Sequence, residues 1–184
     1  MNVPSPLTAE NTALVLIDVQ EKLFAAMPNK EKLLRNLVKL IRGLQVLAVP
    51  VVLTEQYPKG LGPTLAEIKA LFPDLKPIEK LGFSCCDEEA FCRALEALRR
   101  KQILLAGIEA HVCIYQTALD LARHAYEVQV VTDGVASREP ENKKIALFRL
   151  GTSGVGLTTT EMALFELLKA ARGDKFKQIS SIVK

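Results

Sequence analysis

The chain has 184 residues, of which 49% are hydrophobic, with 24 Lys or Arg against 21 Asp or Glu and a formal charge of +3. That balance is too apolar for a disordered chain, its length suits one domain (residues 1–184), and no apolar run approaches the roughly 20 residues that span a bilayer. Aromatics are 5%, Trp is absent, and basic residues cluster only briefly, at Arg99-Arg100-Lys101 and Lys143-Lys144, so the concentrated basic face of a nucleic-acid binder is missing and nucleic acid is not an expected partner.

In chain order, the first apolar run, residues 13–17, stops at Asp18. A wide helical stripe follows at Leu33, Leu34, Leu37, Val38, Leu40, Ile41 and Leu44, and a second apolar run covers residues 49–53. Residues 56–63, with two Pro and two Gly, read as a loop. A short strand is expected at 76–79, then a helix opened by Asp87-Glu88-Glu89 and carrying Ala90, Phe91, Ala94, Leu95 and Leu98. Strands at 102–106 and 127–132 flank a helix at 112–125. A helix at 143–150, a short run at 155–157 and a helix at 158–170, capped by Thr158 or Thr159, complete the series.

Consecutive apolar residues, in place of alternation, mark strands buried on both faces of a parallel sheet. The expected fold class is therefore α/β, a three-layer α/β/α sandwich around about six mostly parallel strands. Residues 1–10 lack the basic-then-apolar order of an export signal. The four cysteines, Cys85, Cys86, Cys92 and Cys113, show no Cys-x-x-Cys spacing, so reduced thiols and a cytoplasmic location are expected.

Ligands of open α/β sheets bind beyond the carboxyl ends of the strands, so residues that end a strand are the candidates for chemistry. Asp18 follows the first run, with Gln20 two residues on; capping or turning the chain is its ordinary alternative role. Lys80 follows the third run, and on its own a loop lysine reads as solvated. After the fourth run, Gly107-Ile108-Glu109-Ala110-His111-Val112-Cys113 leads into a helix. Cys113 falls in the first turn, where free N–H groups and the helix dipole stabilise a thiolate and could hold an oxyanion. A buried structural thiol is the other reading, and it is the one taken for Cys85, Cys86 and Cys92.

Taken together, Asp18-Val19-Gln20, Lys80 before Phe83-Ser84, Gly107 to Ala118 and Val130 to Arg138 resemble the isochorismatase-like cysteine hydrolases, most of all the isochorismatase domain-containing branch. The resemblance implies a catalytic triad of Asp18, Lys80 and Cys113. It further implies an oxyanion hole from the N–H groups of Glu109 and Cys113, next to a cis Ile108-Glu109 bond, and a homo-oligomer. Where metal-binding relatives carry an Asp-x-His, this chain has Thr54-Glu55-Gln56-Tyr57, and its two histidines, His111 and His124, lie elsewhere; no metal and no cofactor are expected.

Gln20 and Gln56 are candidates to hydrogen-bond a substrate, Phe24, Tyr57 and Phe83 to form apolar walls, and His111 to line the pocket mouth. The glycine-rich stretch 151–156 lacks the strand-to-helix context of a nucleotide loop. The expected activity is metal-independent hydrolysis of a small amide, imide or related carbonyl compound through a Cys113 thioester. The alternative is a non-catalytic member of the fold that binds a metabolite or a protein.

Overall fold

Six apolar runs become six strands: β1 (Thr12–Ile17), β2 (Val51–Gln56), β3 (Ile78–Lys80), β4 (Gln102–Ile108), β5 (Glu127–Ala136) and β6 (Gly156–Thr158). They come from a computed structural model that describes residues 5–184; residues 1–4, which open the stretch read for an export signal, lie outside it. The strands form one sheet in the order β3-β2-β1-β4-β5-β6, every neighbouring pair parallel. Helices join them: α1 (Glu21–Ala25), α2 (Lys30–Val46), α3 (Pro58–Leu61), α4 (Ala66–Lys69), α5 (Glu89–Ala97), α6 (Tyr115–Arg123), α7 (Pro140–Thr152), α8 (Thr160–Leu168) and α9 (Gly173–Val183).

The central strand shows why consecutive residues are apolar. Leu14 and Leu16 pack into a core shared with α2, α8 and α9, whereas Ala13, Val15 and Ile17 enter a second core shared with α5, α6 and α7. Each face of the sheet thus needs its own apolar set, and period-2 side chains supply both from one run.

Several boundaries differ from the sequence reading. The stretch 56–63 is not simply a loop: Gln56 ends β2 and Pro58–Leu61 forms the short α3. β2 runs past its apolar residues because Thr54, Glu55 and Gln56 still pair with Ile78, Glu79 and Lys80. Glu55 stays buried there by accepting from the N–H and hydroxyl of Thr64, both at 2.7 Å. Thr159, not Thr158, caps α8, its Oγ1 accepting from the Met162 N–H at 3.3 Å. The terminal α9 was not foreseen.

β1 and β4 sit side by side although some 90 residues of chain separate them, and the strand order reverses between them. That is the switch point at which open α/β sheets leave a crevice. Gly107 lies on this seam with φ +121, and a Cβ there would come within 2.0 Å of the Ile17 carbonyl oxygen. Only glycine allows the two strand ends to approach so closely.

Candidate active site

Asp18, directly after β1, adopts a left-handed conformation (φ 53) and is fully buried. Its N–H donates to the Thr54 carbonyl at 3.2 Å, and its Oδ1 accepts from the Thr54 hydroxyl at 2.7 Å. The end of β2 therefore fixes both the backbone and one carboxylate oxygen. Asp18 Oδ2 lies 2.8 Å from the Lys80 Nζ. Among the described residues, Oδ2 is the buried side-chain oxygen held by this ion pair alone. It retains capacity to take a proton.

Lys80 is the last residue of β3 and is buried, unlike an ordinary loop lysine. Its ammonium donates to Gln56 Oε1 at 2.7 Å and to the Gly82 and Phe83 carbonyls at 3.2 Å each, with Cys113 Sγ at 3.5 Å. A buried ammonium is tolerated only when its protons are taken and its charge is paired, and both conditions hold. Burial pulls the Lys80 pKa down, but the charges of Asp18, Cys113 and Cys85 outweigh it and hold it above its ordinary value. Lys80 is a fixed positive charge and not a proton source.

Cys113 sits in a π-helical turn, Ala110–Ile114, between β4 and α6. The expected helix at 112–125 thus begins with a wider turn, in which the Val112 and Ile114 N–H groups both donate to the Glu109 carbonyl (3.1 and 3.2 Å). The Ile108-Glu109 peptide is cis. The thiol is 5% exposed. Burial, then the Asp18 charge and its contact with the thiol, push the Cys113 pKa up to about 12 against the opposing pull of Lys80. Desolvation and an adjacent carboxylate thus oppose the resting thiolate that a helix terminus would favour.

Cys85 and Cys86 are likewise raised to about 12 by burial, in keeping with their structural reading. All four cysteines are free. Native thiols with pKa values raised above the ordinary 9.0 hold protons that the unfolded chain releases, so stability is fully present below about pH 9 and is lost as pH rises toward 12. The raised Lys80 acts in the same direction. Urea midpoints are expected to fall between pH 8.5 and 10.5; a flat or rising profile would contradict this assignment.

The remaining candidates divide. Gln20 is fully buried and spent on backbone: its amide donates to the Gln56 and Gly62 carbonyls (3.0 and 2.6 Å) and its Oε1 accepts from the Gln56 N–H at 2.7 Å. It holds the loop, and both of its amide protons are taken. Gln56 anchors Lys80 through Oε1 and donates to the Leu81 carbonyl at 2.8 Å, so it positions the site instead of binding in it. Phe24 is partly buried and packs against the α2-side core.

Tyr57 and Phe83 are half-exposed beside the Lys80 loop, and Tyr57, Leu81, Lys59 and Glu88 line a cleft of about 360 Å³ there. His111 pairs through Nδ1 with the Ser137 hydroxyl at 2.9 Å. The Glu109 carboxylate is buried and held by the Arg138 N–H at 2.9 Å and its Nε at 3.1 Å, which steadies the backbone beside Cys113. The roles of Thr54 and Arg138 were missed; Thr54 could have been found as the polar residue ending the second apolar run. Among the described residues no cluster of three or more His, Cys, Asp or Glu is placed to hold a metal, and no helix is long and apolar enough to cross a membrane.

The family description "Isochorismatase domain" matches residues 12–162. Isochorismatase domain-containing protein 2 of Danio rerio is 38% identical over 177 residues, covering 96% of this chain and 89% of that protein. The structure of the MAR1 ribonuclease of Caenorhabditis elegans superposes with a TM-score of 0.90 at 32% identity, over 97% of this chain and 92% of that one. The YcaC gene product of Escherichia coli, described as an octameric hydrolase of unknown specificity, superposes with a TM-score of 0.93 at 27% identity, over 99% of this chain and 91% of that one.

Proposed function

The chain belongs to the isochorismatase family, and from that premise we propose that it is a metal-independent cysteine hydrolase of a small amide, imide or related carbonyl compound. The observation that carries this reading is the contact set at the strand switch: a buried carboxylate and ammonium 2.8 Å apart, with a thiol 3.5 Å from the same ammonium.

In this mechanism Asp18 takes the thiol proton as Cys113 Sγ bonds to the substrate carbonyl carbon. The developing oxyanion is held by the N–H groups of Glu109 and Cys113. The intermediate collapses by breaking the C–N bond, and the departing nitrogen receives the proton from Asp18, leaving a thioester. Asp18 then takes a proton from water as its oxygen attacks, and the thiolate leaves with that proton, releasing the acid. Lys80 contributes only its charge: its protons stay with their acceptors, and that charge offsets the negative charge passing between sulfur and carboxylate. Metal independence is supported by the Thr54-Glu55-Gln56-Tyr57 stretch, whose Glu55 and Gln56 are already bound to Thr64 and Lys80.

The neighbour described as a ribonuclease makes RNA a second substrate class to test. Against it, the ammonium in contact with Cys113 is buried and consumed, and basic residues are scattered. Four free thiols suit a reducing, cytoplasmic setting, and the octameric neighbour supports a homo-oligomer.

The test is a panel of amides, imides and a structured RNA, with mass spectrometry of the protein during turnover. An acyl adduct on Cys113 that forms and decays supports the proposal; RNA cleavage without an adduct sinks it. Absence of turnover and adduct across the panel would favour the non-catalytic binding member. Thiol alkylation gives a separate readout. Because Asp18 takes the thiol proton and Lys80 lowers the Cys113 pKa, alkylation at pH 8 is expected to slow in both Asp18→Asn and Lys80→Met. Alkylation unchanged in both variants would contradict these roles.

A further inference from the structure

Between the starts of α2 and α7, beside the end of β5, lies a cavity of about 330 Å³. It shares no lining residue with the Asp18, Lys80 and Cys113 contact set or with the cleft beside Tyr57. Its volume falls in the range of small-molecule pockets, about 300–1,000 Å³. Two of its walls carry ammonium groups: Lys32, the third residue of α2, and Lys143, the fourth of α7. Among the described residues neither enters an ion pair. Both sit where the fold alone disfavours a cation, in the opening turn of a helix, at the positive end of its dipole. Lys32 lies at the exposed rim, whereas Lys143 is half-buried, a costly place for an unpaired charge. Burial lowers the Lys143 pKa first, Asp133 pulls it up, and Lys32 pushes it down again.

We propose that this cavity binds the oxyanion of a small molecule, a phosphate ester or a carboxylate, between the Lys32 and Lys143 ammonium groups. An anion there relieves the repulsion between the two cations, pairs the half-buried one, and offsets the unfavourable placement of both on their helices. The acids nearby do not already fill that role. Asp133, the carboxylate in the lining, has its Oδ1 taken by the N–H and hydroxyl of Thr160 at 2.8 and 3.1 Å. Its carbonyl accepts from Asn36 Nδ2 at 2.9 Å, which ties α2 to the end of β5 and keeps the two walls in place. Glu141 is paired with Lys144 at 3.6 Å, and Glu31 and Glu139 are exposed and outside the lining. Asn29 does line the cavity and makes no side-chain capping bond to α2, which leaves its amide to donate to a ligand oxygen.

The test is titration calorimetry of the full chain with inorganic phosphate and with succinate, near neutral pH and at ionic strength matched with sodium chloride. Saturable binding of one equivalent per chain is expected for at least one probe, and the tighter of the two tells a phosphate site from a carboxylate site. Lys143→Met and Lys32→Met are each expected to weaken it by about tenfold, the loss of one charge-assisted contact, and the double variant to abolish it. Lys175→Met, on the distant α9, serves as the control and should bind as wild type does. Urea midpoints give a second readout: the preferred probe should raise that of the wild type and not that of the double variant. Without probe, both single variants should be at least as stable as wild type, since each loses a cation from a helix start. Failure of both probes to bind wild type would overturn the proposal, as would undiminished binding by the double variant. A loss shared equally by Lys175→Met would mark non-specific attraction to a basic chain and overturn it too.

Discussion

Replacing Cys113 by alanine is expected to lower hydrolysis by a factor on the order of 10⁴ or more, because losing a nucleophile removes the covalent route and leaves only binding and oxyanion stabilisation. The fold should survive. The thiol is small and buried, so its removal costs about 1 kcal/mol of packing, and the Asp18–Lys80 pair does not depend on it: the ammonium keeps Gln56, Gly82 and Phe83 as acceptors. Turnover of the best substrate and urea unfolding of the same preparations test both halves. Activity within tenfold of wild type in a folded Cys113→Ala protein would remove sulfur from the mechanism. Cys113→Ser is expected to be similarly inactive, since a hydroxyl is harder still to deprotonate beside a carboxylate.

Lys80→Met should have the largest effect on stability. It keeps the aliphatic stem but strands the Asp18 carboxylate, fully buried and now held only by neutral groups, the Thr54 hydroxyl and the Cys113 thiol. Breaking one side of a buried ion pair typically costs about 3–5 kcal/mol, most of it the penalty of the unpaired charge. The double variant Lys80→Met with Asp18→Asn removes that charge and is expected to recover much of the loss. Urea titrations of the wild type, both single variants and the double complete the cycle. If Lys80→Met lies within about 1 kcal/mol of wild type, the pair behaves as a solvated one and the burial argument fails.

The strands were legible in the amino-acid sequence because burial on two faces leaves a distinctive run of apolar residues, and the first polar residue after such a run stands out. Asp18 is of that kind, whereas Cys113 stood out by its place at a helix start. Lys80 was legible only through its company, since nothing local distinguishes a buried lysine from a solvated one; the acceptors that hold it come from Gln56 and from two carbonyls beyond it in the chain. The supporting duties of Gln20, Gln56 and Thr54 depend on the pairing of β1, β2 and β3, which no single segment encodes. The pKa of Cys113 is a related case. A helix start is visible in sequence, but the burial and the carboxylate that push the thiol up are properties of the assembled site. Helix α9 did leave a trace, Phe176, Ile179 and Ile182 at spacings of three, and it was passed over because the run is short and interrupted by polar residues.

The seam at Gly107 has a bearing on how the protein matures. Acid, ammonium and sulfur reach one another only once β4 has zipped onto β1, a pairing across some 90 residues, and pairings that distant are slow to close. Catalytic competence should consequently emerge late in renaturation, after most helical signal has returned. The appearance of turnover could then serve as a clock for closure of the sheet's centre.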